Sequence, residues 1–277
     1  MEETQLLRTA ARARLYGLDM VYKAASGHLG GSFSCVDILT LLYGEILRVD
    51  PARPDDPGRD RFVLSKGHCT PALYPVLAMS GFFPEETLMT FRAIDSRLSG
   101  HAEMRFIPGV DMSTGSLGQG ISTAVGMALA GKLDGRDYLV YALLGDGELA
   151  EGQVWEAAMS AAKYHLDNLR AIVDVNGLQI DGWTRDVMPL EPLRDKFESF
   201  GWQVLEADGH DFSSLRAAFR AAGQEQKPTV ILAHTVKGKG VSFMEDQAGW
   251  HGKAPNQEQY QAAREELTRR LSELEGA

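Results

Sequence analysis

Hydrophobic positions in the middle of the chain follow two alternating patterns. Residues 138–144 form an apolar run that is too short for a helix and is followed by a glycine, which predicts a buried strand. Apolar residues then recur every three or four positions as far as His165, which is the spacing of a helix that packs on one face. A second apolar run at 171–175 predicts another strand. A strand, a helix and a strand in this order make a unit whose two strands run parallel.

The same alternation extends over most of the sequence. Further strands are predicted at 61–64, 202–206 and 229–236. The predicted helices cover 4–23, 34–47 with Ser34 as N-cap, a segment opened by Pro71, 117–133, 192–200, 211–223 and 256–274. Repeated strand–helix alternation is typical of an α/β fold with a doubly wound, mainly parallel sheet. We therefore expect one domain over residues 1–277 that ends in a helix at about 256–274.

Two polar residues follow the two central strands. Asp146 comes directly after the first strand and Asn176 directly after the second, thirty residues later. Neighbouring strands lie about 4.8 Å apart, so both side-chain oxygens can reach one ion at about 2.0–2.1 Å. Gly145 and Gly147 allow a phosphate to approach the backbone, and a helix predicted to begin near Glu148 directs N–H groups the same way. The pattern predicts a Mg²⁺–diphosphate site, the alternative being an ordinary turn in which the aspartate caps the helix.

Composition excludes several classes of function. A net charge of −10 and a pI near 5.2 argue against nucleic acid as a general partner. Cys35 and Cys69 are expected to be reduced and buried, and the adjacency of Cys69 to His68 is not expected to form a nucleophilic pair, because neighbouring side chains usually point apart. The N-terminal segment resembles neither a signal nor a transit peptide, and no run approaches a membrane-spanning length. We expect a cytoplasmic protein with no membrane contact.

Several motifs together resemble one known family. The sequence from about residue 15 to 255 is similar to the N-terminal, diphosphate-binding half of a transketolase, whereas the Gly-Asp-Gly and Asn pair alone indicates only the wider thiamine-diphosphate superfamily. The motifs that carry the resemblance are SGHLGGSFS at 26–34, SKGH at 65–68, GH at 100–101, TGSLGQG at 114–120, GDGELAEG at 145–152, VNGLQIDG at 175–182, and KGKG and WHG between 237 and 252. The resemblance implies thiamine diphosphate and Mg²⁺ as cofactors.

The resemblance also implies which residues hold these cofactors. The metal ligands would be Asp146, Asn176 and the backbone carbonyl of Leu178. Lys237 resembles a lysine that contacts the diphosphate in related synthases, the alternative being an exposed lysine. The TGSLGQG loop would lie over the thiazolium and the diphosphate, the alternative being a glycine-rich turn into a packed helix. The remaining cofactor contacts would be His68, Gly115, Ser116, Leu117, Gly118, Gly145, Gly147, Glu148 and His251.

Histidines form a second group of candidates. A ketose donor presents hydroxyl groups to be oriented and protons to be moved, and imidazole both donates and accepts near neutral pH. By resemblance, His68 and His251 would lie between the diphosphate and the donor's hydroxyls. His28 and His101 would contact hydroxyls at the reacting end. We interpret His210 as a loop or helix-capping residue, and His165 and His234 as packing residues.

Glu151 is the carboxylate that connects the chain to a partner. It is either a first-turn acid favoured by the helix dipole or, as in transketolases, a hydrogen-bond partner of the catalytic Glu of a neighbouring pyrimidine-binding domain. That domain and a third, C-terminal one are absent from the sequence. The resemblance thus implies the N-terminal subunit of a split transketolase, assembled as α2β2 with a C-terminal subunit. The pair would move a two-carbon glycolaldehyde unit from a ketose phosphate to an aldose.

Three other functions compete with this one. A subunit like 1-deoxyxylulose-5-phosphate synthase or like the α chain of a 2-oxoacid dehydrogenase would share Asp146 and Asn176, but the four histidine loops favour transketolase. A non-catalytic, cofactor-binding regulatory subunit would keep the fold without the activity. A Mg²⁺-dependent phosphoryl-transfer enzyme is disfavoured, because the sequence has no Walker-type loop. The sequence leaves the physiological sugars open, with pentose phosphates as the default.

Overall fold

The centre of the molecule is a five-stranded sheet. We describe residues 1–276 from a computed structural model of the chain. The strand order is β1-β2-β3-β5-β4, and all four pairings are parallel, which confirms the predicted fold class. The strands are β1 (Arg61–Leu64), β2 (Val140–Gly145), β3 (Leu169–Val175), β4 (Gln203–Asp208) and β5 (Thr229–His234).

Nine α-helices and several shorter helical turns occur within residues 1–276. None of these helices is long and apolar enough to cross a membrane. The α-helices are α1 (Glu3–Ala24), α2 (Gly30–Leu41), α3 (Thr70–Met79), α4 (Gln119–Leu133), α5 (Gly152–Lys163), α6 (Thr184–Val187), α7 (Leu193–Ser199), α8 (Phe212–Ala221) and α9 (Gln257–Glu275).

Both faces of the sheet are buried, each against its own set of helices. Side chains of a strand point alternately to the two faces, so Tyr141 and Leu143 join one apolar core while Val140 and Ala142 join the other. The first core lies against α1, α2, α3, α8 and α9, and the second against α4, α5 and α7. This burial explains why the strands appear in the sequence as continuous apolar runs.

Two predicted helix starts are wrong. The second helix begins at Gly30, so Ser34 is not its N-cap but a buried residue within it. The Ser34 hydroxyl donates to the Gly31 carbonyl and to the Asp174 carboxylate, a partner that no local pattern indicates. The chain after β2 forms a short 3₁₀ turn, Gly147–Ala150, and α5 begins only at Gly152 instead of near Glu148.

A buried ion pair ties the outer helices to the edge of the sheet. Arg14 on α1 donates to both carboxylate oxygens of Asp37 on α2, at 3.0 and 2.6 Å. His210 Nδ1 lies 2.7 Å from the same carboxylate, and its Nε2 accepts from the Val236 backbone N–H at 2.9 Å. An Nε2 that accepts requires Nδ1–H to donate to Asp37. The network therefore fixes the segment after β5, which carries Lys237 into the site described below.

His210 lies in the loop before α8, as expected, but it is not a helix cap. The side chain of Asp211 caps α8 by accepting from the Ser213 backbone N–H. The imidazole of His210 instead bridges two distant parts of the fold.

Asp37→Asn is expected to lower the free energy of unfolding by about 3–5 kcal/mol at pH 7, because the Arg14 charge is left buried without its partner. Burial raises the pKa of Asp37, but the charge of Arg14 and hydrogen bonds from His210 and Arg14 outweigh it and lower the pKa to about 2. A lowered pKa contributes stability above about pH 4 that is lost as the pH falls towards 2. Urea denaturation at several pH values measures both effects.

The matched control is Asp195→Asn, an exposed aspartate on α7, which should change stability by no more than about 0.5 kcal/mol. A difference between wild type and Asp37→Asn that stays constant from pH 7 to pH 2 would contradict the role given to this carboxylate.

Candidate active site

The site lies where the central strands end. β2 and β3 are neighbours in parallel register, with Gly145 opposite Asp174, so the residues that follow each strand meet at the same edge. Asp146 is 3% exposed and Asn176 is 8% exposed. They line a cavity of about 150 Å³. The predicted cofactor residues that also line it are His68, Leu117, Gly145, Gly147, Glu148, Leu178, Lys237 and His251.

Asp146 is a buried carboxylate without a basic side chain in hydrogen-bond contact among residues 1–276. Its oxygens accept from the backbone N–H groups of Gly147 at 2.8 Å and Gly177 at 2.6 Å. Burial and the neighbouring charge of Asp174 nevertheless raise the pKa of Asp146 to about 6. A buried carboxylate whose charged form is this costly is stabilised by a cation.

The oxygen atoms around Asp146 are of the kind that Mg²⁺ prefers. Asn176 presents its side-chain oxygen, which also accepts from the Leu178 N–H at 3.1 Å, and Leu178 presents a backbone carbonyl. Carboxylate, amide and carbonyl oxygens suit a hard divalent cation. Within residues 1–276 no group of three or more His, Cys, Asp or Glu could hold a metal, so a metal here would depend on this mixed set.

Lys237 already brings a positive charge to the Leu178 carbonyl. Its ammonium donates to that oxygen at 3.3 Å and lies 3.1 Å from His251 Nδ1. Lys237 is buried, so the alternative of an exposed lysine is wrong. Burial lowers the pKa of Lys237, while the charge of Asp146 acts in the opposite direction. Lys237 is therefore a buried lysine of the cavity wall that can contact an anionic group.

Four histidines from four separate loops meet beside the cavity. The ring centroid of His28 lies 5.2 Å from that of His68, 6.0 Å from that of His101 and 5.6 Å from that of His251. His68 and His251 are 5.0 Å apart. The structure thus brings together all four histidines that the sequence analysis selected from seven.

The environment keeps His28, His101 and His251 neutral. Burial, followed by the charge of His68, lowers the pKa of His28 to about 4. Burial, followed by the charge of Lys237, lowers the pKa of His251 to about 3, and burial also lowers the pKa of His101. A neutral imidazole can donate from one nitrogen and accept at the other. The buried His28 Nδ1 has no hydrogen-bond partner within residues 1–276, so it is available to a ligand.

The TGSLGQG loop closes one side of the cavity. Thr114 Oγ1 donates to the Leu64 carbonyl at 2.6 Å, which fastens the loop to β1. Gly115 has φ +145°, and a Cβ there would lie 2.9 Å from the His101 ring. Leu117 reaches the cavity, whereas Gly115, Ser116 and Gly118 lie outside its lining.

Glu148 holds three loops together from inside. Its carboxylate accepts from the Ser65 hydroxyl at 2.5 Å, the Gly118 N–H at 2.9 Å and the Gly145 N–H at 3.1 Å. Although Glu148 lines the cavity, both of its oxygens are engaged by the protein. Its position as a cofactor contact remains a prediction.

Glu151 lies outside the cavity and is exposed. It occupies the N-cap of α5, yet its side chain makes no capping hydrogen bond, which weakens the purely structural interpretation.

The prediction that His165 and His234 are packing residues is wrong. Both are exposed, and His234 lies 3.0 Å from the Glu206 carboxylate.

Sequence reasoning missed Lys66 and Asp174, which form a buried ion pair beneath the cavity. Asp174 interrupts the apolar run of β3, whereas Lys66 lies in the polar SKGH segment that follows β1. A charged residue in an apolar run is a usable signal, because charged side chains are almost never fully buried unless they are paired. Ile180 was also missed; it lines the cavity but is 65% exposed.

Comparison with known proteins agrees with this geometry. A family model described as "Transketolase, thiamine diphosphate binding domain" matches residues 6–272. The chain is 47% identical over 276 residues to an apulose-4-phosphate transketolase subunit of Phocaeicola vulgatus, covering 99% of this chain and 97% of that protein. It is 46% identical over 277 residues to a 6-deoxy-6-sulfo-D-fructose transketolase subunit of Clostridium sp., covering 100% of this chain and 99% of that protein.

Longer transketolases match with part of their length. The human transketolase is 44% identical over 252 residues, which are 88% of this chain and 39% of that protein. The crystal structure of transketolase from Campylobacter jejuni superposes with a TM-score of 0.90 at 35% identity, covering 97% of this chain and 43% of that chain. The chain belongs to the transketolase family and corresponds to its N-terminal, thiamine-diphosphate-binding part, with end-to-end similarity to proteins that are themselves named as transketolase subunits.

Proposed function

We propose that this chain is the diphosphate-binding subunit of a two-component transketolase. It would bind thiamine diphosphate and Mg²⁺ and, with a partner subunit, move a two-carbon glycolaldehyde unit from a ketose phosphate to an aldose. The observation that carries the proposal is the convergence of four histidines beside Asp146 and Asn176. Oxygen atoms suited to a cation and histidines suited to sugar hydroxyls therefore lie at the same edge of the cavity.

Because both apolar cores pack on the same sheet, we treat residues 1–277 as one domain.

The chain's own residues supply binding and orientation. Bound thiamine diphosphate supplies a carbon centre that allows the bond next to a ketose carbonyl to break and re-form. Asp146, Asn176 and the Leu178 carbonyl would hold the cation, and Lys237 would neutralise diphosphate charge. His28 and His101 would orient sugar hydroxyls, giving or taking protons as the hydroxyl groups require.

The histidine cluster also favours transketolase over the related enzymes. A 2-oxoacid such as pyruvate has no chain of hydroxyl groups to orient. Four imidazoles, of which His28, His101 and His251 have lowered pKa values, match a donor with several hydroxyls. The physiological sugar is proposed to be a specialised ketose that carries a phosphate or a sulfonate, since two similar subunits are named for apulose 4-phosphate and for 6-deoxy-6-sulfo-D-fructose.

The partner subunit is proposed to cover the open side of the cavity. Ile180, Trp183 and Met188 expose apolar surface along the segment next to the cavity. We propose that a C-terminal transketolase subunit with a pyrimidine-binding domain packs here in an α2β2 assembly. Glu151 would accept a hydrogen bond from that subunit's catalytic Glu.

Both cysteines are free, which fits the reducing cytoplasm as the compartment.

The assay that tests the proposal mixes this chain with its candidate partner, thiamine diphosphate and Mg²⁺. Xylulose 5-phosphate and ribose 5-phosphate are the first substrates, followed by apulose 4-phosphate and then pyruvate as competing donor. Two-carbon transfer only in the mixture is expected. A stable, cofactor-loaded complex that uses pyruvate alone would replace transketolase with the oxoacid enzymes, and a complex that binds no cofactor would overturn the catalytic function.

Asp146→Ala is expected to lower kcat/KM of the mixture at least about 100-fold, because a metal that stabilises charge contributes several kcal/mol. The same variant should bind thiamine diphosphate more weakly by calorimetry. Unchanged cofactor binding would show that Asp146 does not hold the cation.

His28→Ala and His101→Ala are each expected to reduce kcat/KM at least about 100-fold, the usual scale for a group that transfers or positions a proton. Cofactor affinity should change little, because both residues lie outside the cavity lining. His165→Ala is the matched control, since His165 is exposed at the end of α5. A loss of equal size in the control would refute the assignment.

Glu151→Gln tests the shared site. Glutamine keeps an acceptor oxygen but removes the charge that strengthens the hydrogen bond, and hydrogen bonds to charged groups contribute about 1.5–3 kcal/mol, so activity of the mixture should fall at least about 10-fold. Stability of the isolated chain should stay within about 0.5 kcal/mol of wild type. Glu156→Gln, an exposed acid on the same helix, should leave activity unchanged. Full activity of Glu151→Gln would restrict this residue to a structural role.

A further inference from the structure

We infer that Asp174 is a positioning residue that fixes which way the Asn176 side-chain amide faces. This inference rests on the proposed function, because the oxygen so oriented is the one offered to the cation. Asn176 Nδ2 donates to Asp174 Oδ2 at 3.2 Å. The amide oxygen, Oδ1, is thereby left on the side of the Leu178 N–H and the cavity.

The carboxylate of Asp174 is held in place by donors from three other parts of the fold. Ser34 Oγ on α2 donates to Oδ2 at 2.6 Å, and the Lys66 ammonium donates to the same oxygen. The Thr235 hydroxyl, just after β5, donates to Oδ1. Asp174 itself is fully buried. Its side chain can therefore neither rotate away nor exchange these partners for water.

The chemistry of the groups, more than the placement of individual atoms, determines the amide orientation. Ser34, Lys66 and Thr235 all donate hydrogen bonds to the Asp174 carboxylate. A carboxylate in a salt bridge with the Lys66 ammonium offers acceptor oxygens only. The end of the Asn176 amide that faces it must be the NH₂ group. The reversed amide would place oxygen against carboxylate and direct its NH₂ towards the cation.

Asp174 also explains why an asparagine occupies position 176. A carboxylate at 176 would offer the cation an oxygen in either orientation, but it would lie against a second buried negative charge. An amide satisfies both neighbours, since one end donates to Asp174 and the other end accepts or ligates. Groups that orient a metal ligand in this way typically change metal affinity about 10–100-fold when they are replaced.

The test is a double-mutant cycle on the full-length complex with its partner. Manganese(II) is the probe, and its binding in the presence of thiamine diphosphate is measured by electron paramagnetic resonance. Lys66 donates to the same Asp174 oxygen as Asn176 and would hold the oxygen of an asparagine at 174 in that place, so Asp174→Asn is made together with Lys66→Met. Asp174→Asn in this form and Asn176→Asp should each weaken Mn²⁺ binding about 10–100-fold, the first because the amide is free to reverse, the second because two carboxylates repel. The double variant exchanges donor and acceptor and should recover most of the lost affinity.

A general effect on folding would make two changes worse than one. Recovery in the double variant would therefore show that the changes act through the orientation of the amide. Asp208→Asn is the matched control, since Asp208 ends β4 at the same edge of the sheet and is exposed; it should bind Mn²⁺ like wild type. Every variant that carries Asp174→Asn, the double variant included, also carries Lys66→Met, which leaves no buried charge unpaired.

Two results would overturn the inference. One is Asp174→Asn binding Mn²⁺ as tightly as wild type, and the other is a double variant that binds no better than the weaker single variant. A wild-type complex that binds no Mn²⁺ with thiamine diphosphate would instead overturn the proposed function itself, and the inference with it.

Discussion

Parallel pairing of β2 with β3 is the interaction on which the site depends. The register places Gly145 opposite Asp174, so that Asp146 and Asn176 leave the sheet side by side. A slip of one residue would turn the side chains of β3 to the opposite faces. Asp174 would then lose Ser34 and Lys66, and Asn176 would lose the carboxylate that faces its amide. Burial of both sheet faces makes such a slip costly, because it would expose two apolar cores.

Within residues 1–276, some buried carboxylates in and around the site are paired with a basic side chain, whereas Asp146 is not. Asp37 and Asp174 are each paired with a buried cation and several hydrogen-bond donors, and they hold the surrounding loops in place. Asp146 is equally buried but is satisfied only by backbone N–H groups, which leaves its pKa raised to about 6. An uncompensated group of this kind weakens the cofactor-free fold and strengthens binding of a cation. Asp37 and Asp174, which hold the surrounding loops, thus differ from Asp146 in having a buried basic partner.

Much of the site could be predicted because its signals are local. A polar residue after an apolar run, or a histidine next to a glycine, is visible in a window of a few residues, as for Asp146 and His28. Contacts between distant segments gave no such signal. Ser34 resembles a helix N-cap until its partner Asp174 is known, 140 residues away. His165 and His234 resemble packing residues because nothing near them in the sequence indicates their exposure.

The sequence by itself determined the element types, the parallel sheet, the family and the candidate residues for cofactor and substrate, since these depend on periodicity and on short motifs. Only the tertiary structure decided how those residues are used. Glu148 became the link between three loops, Lys237 became a buried cation, and Asp174 became the group that orients Asn176. The physical reason is that hydrogen-bond partners, desolvation and pKa depend on what surrounds a side chain, and those surroundings come from segments far apart in the chain.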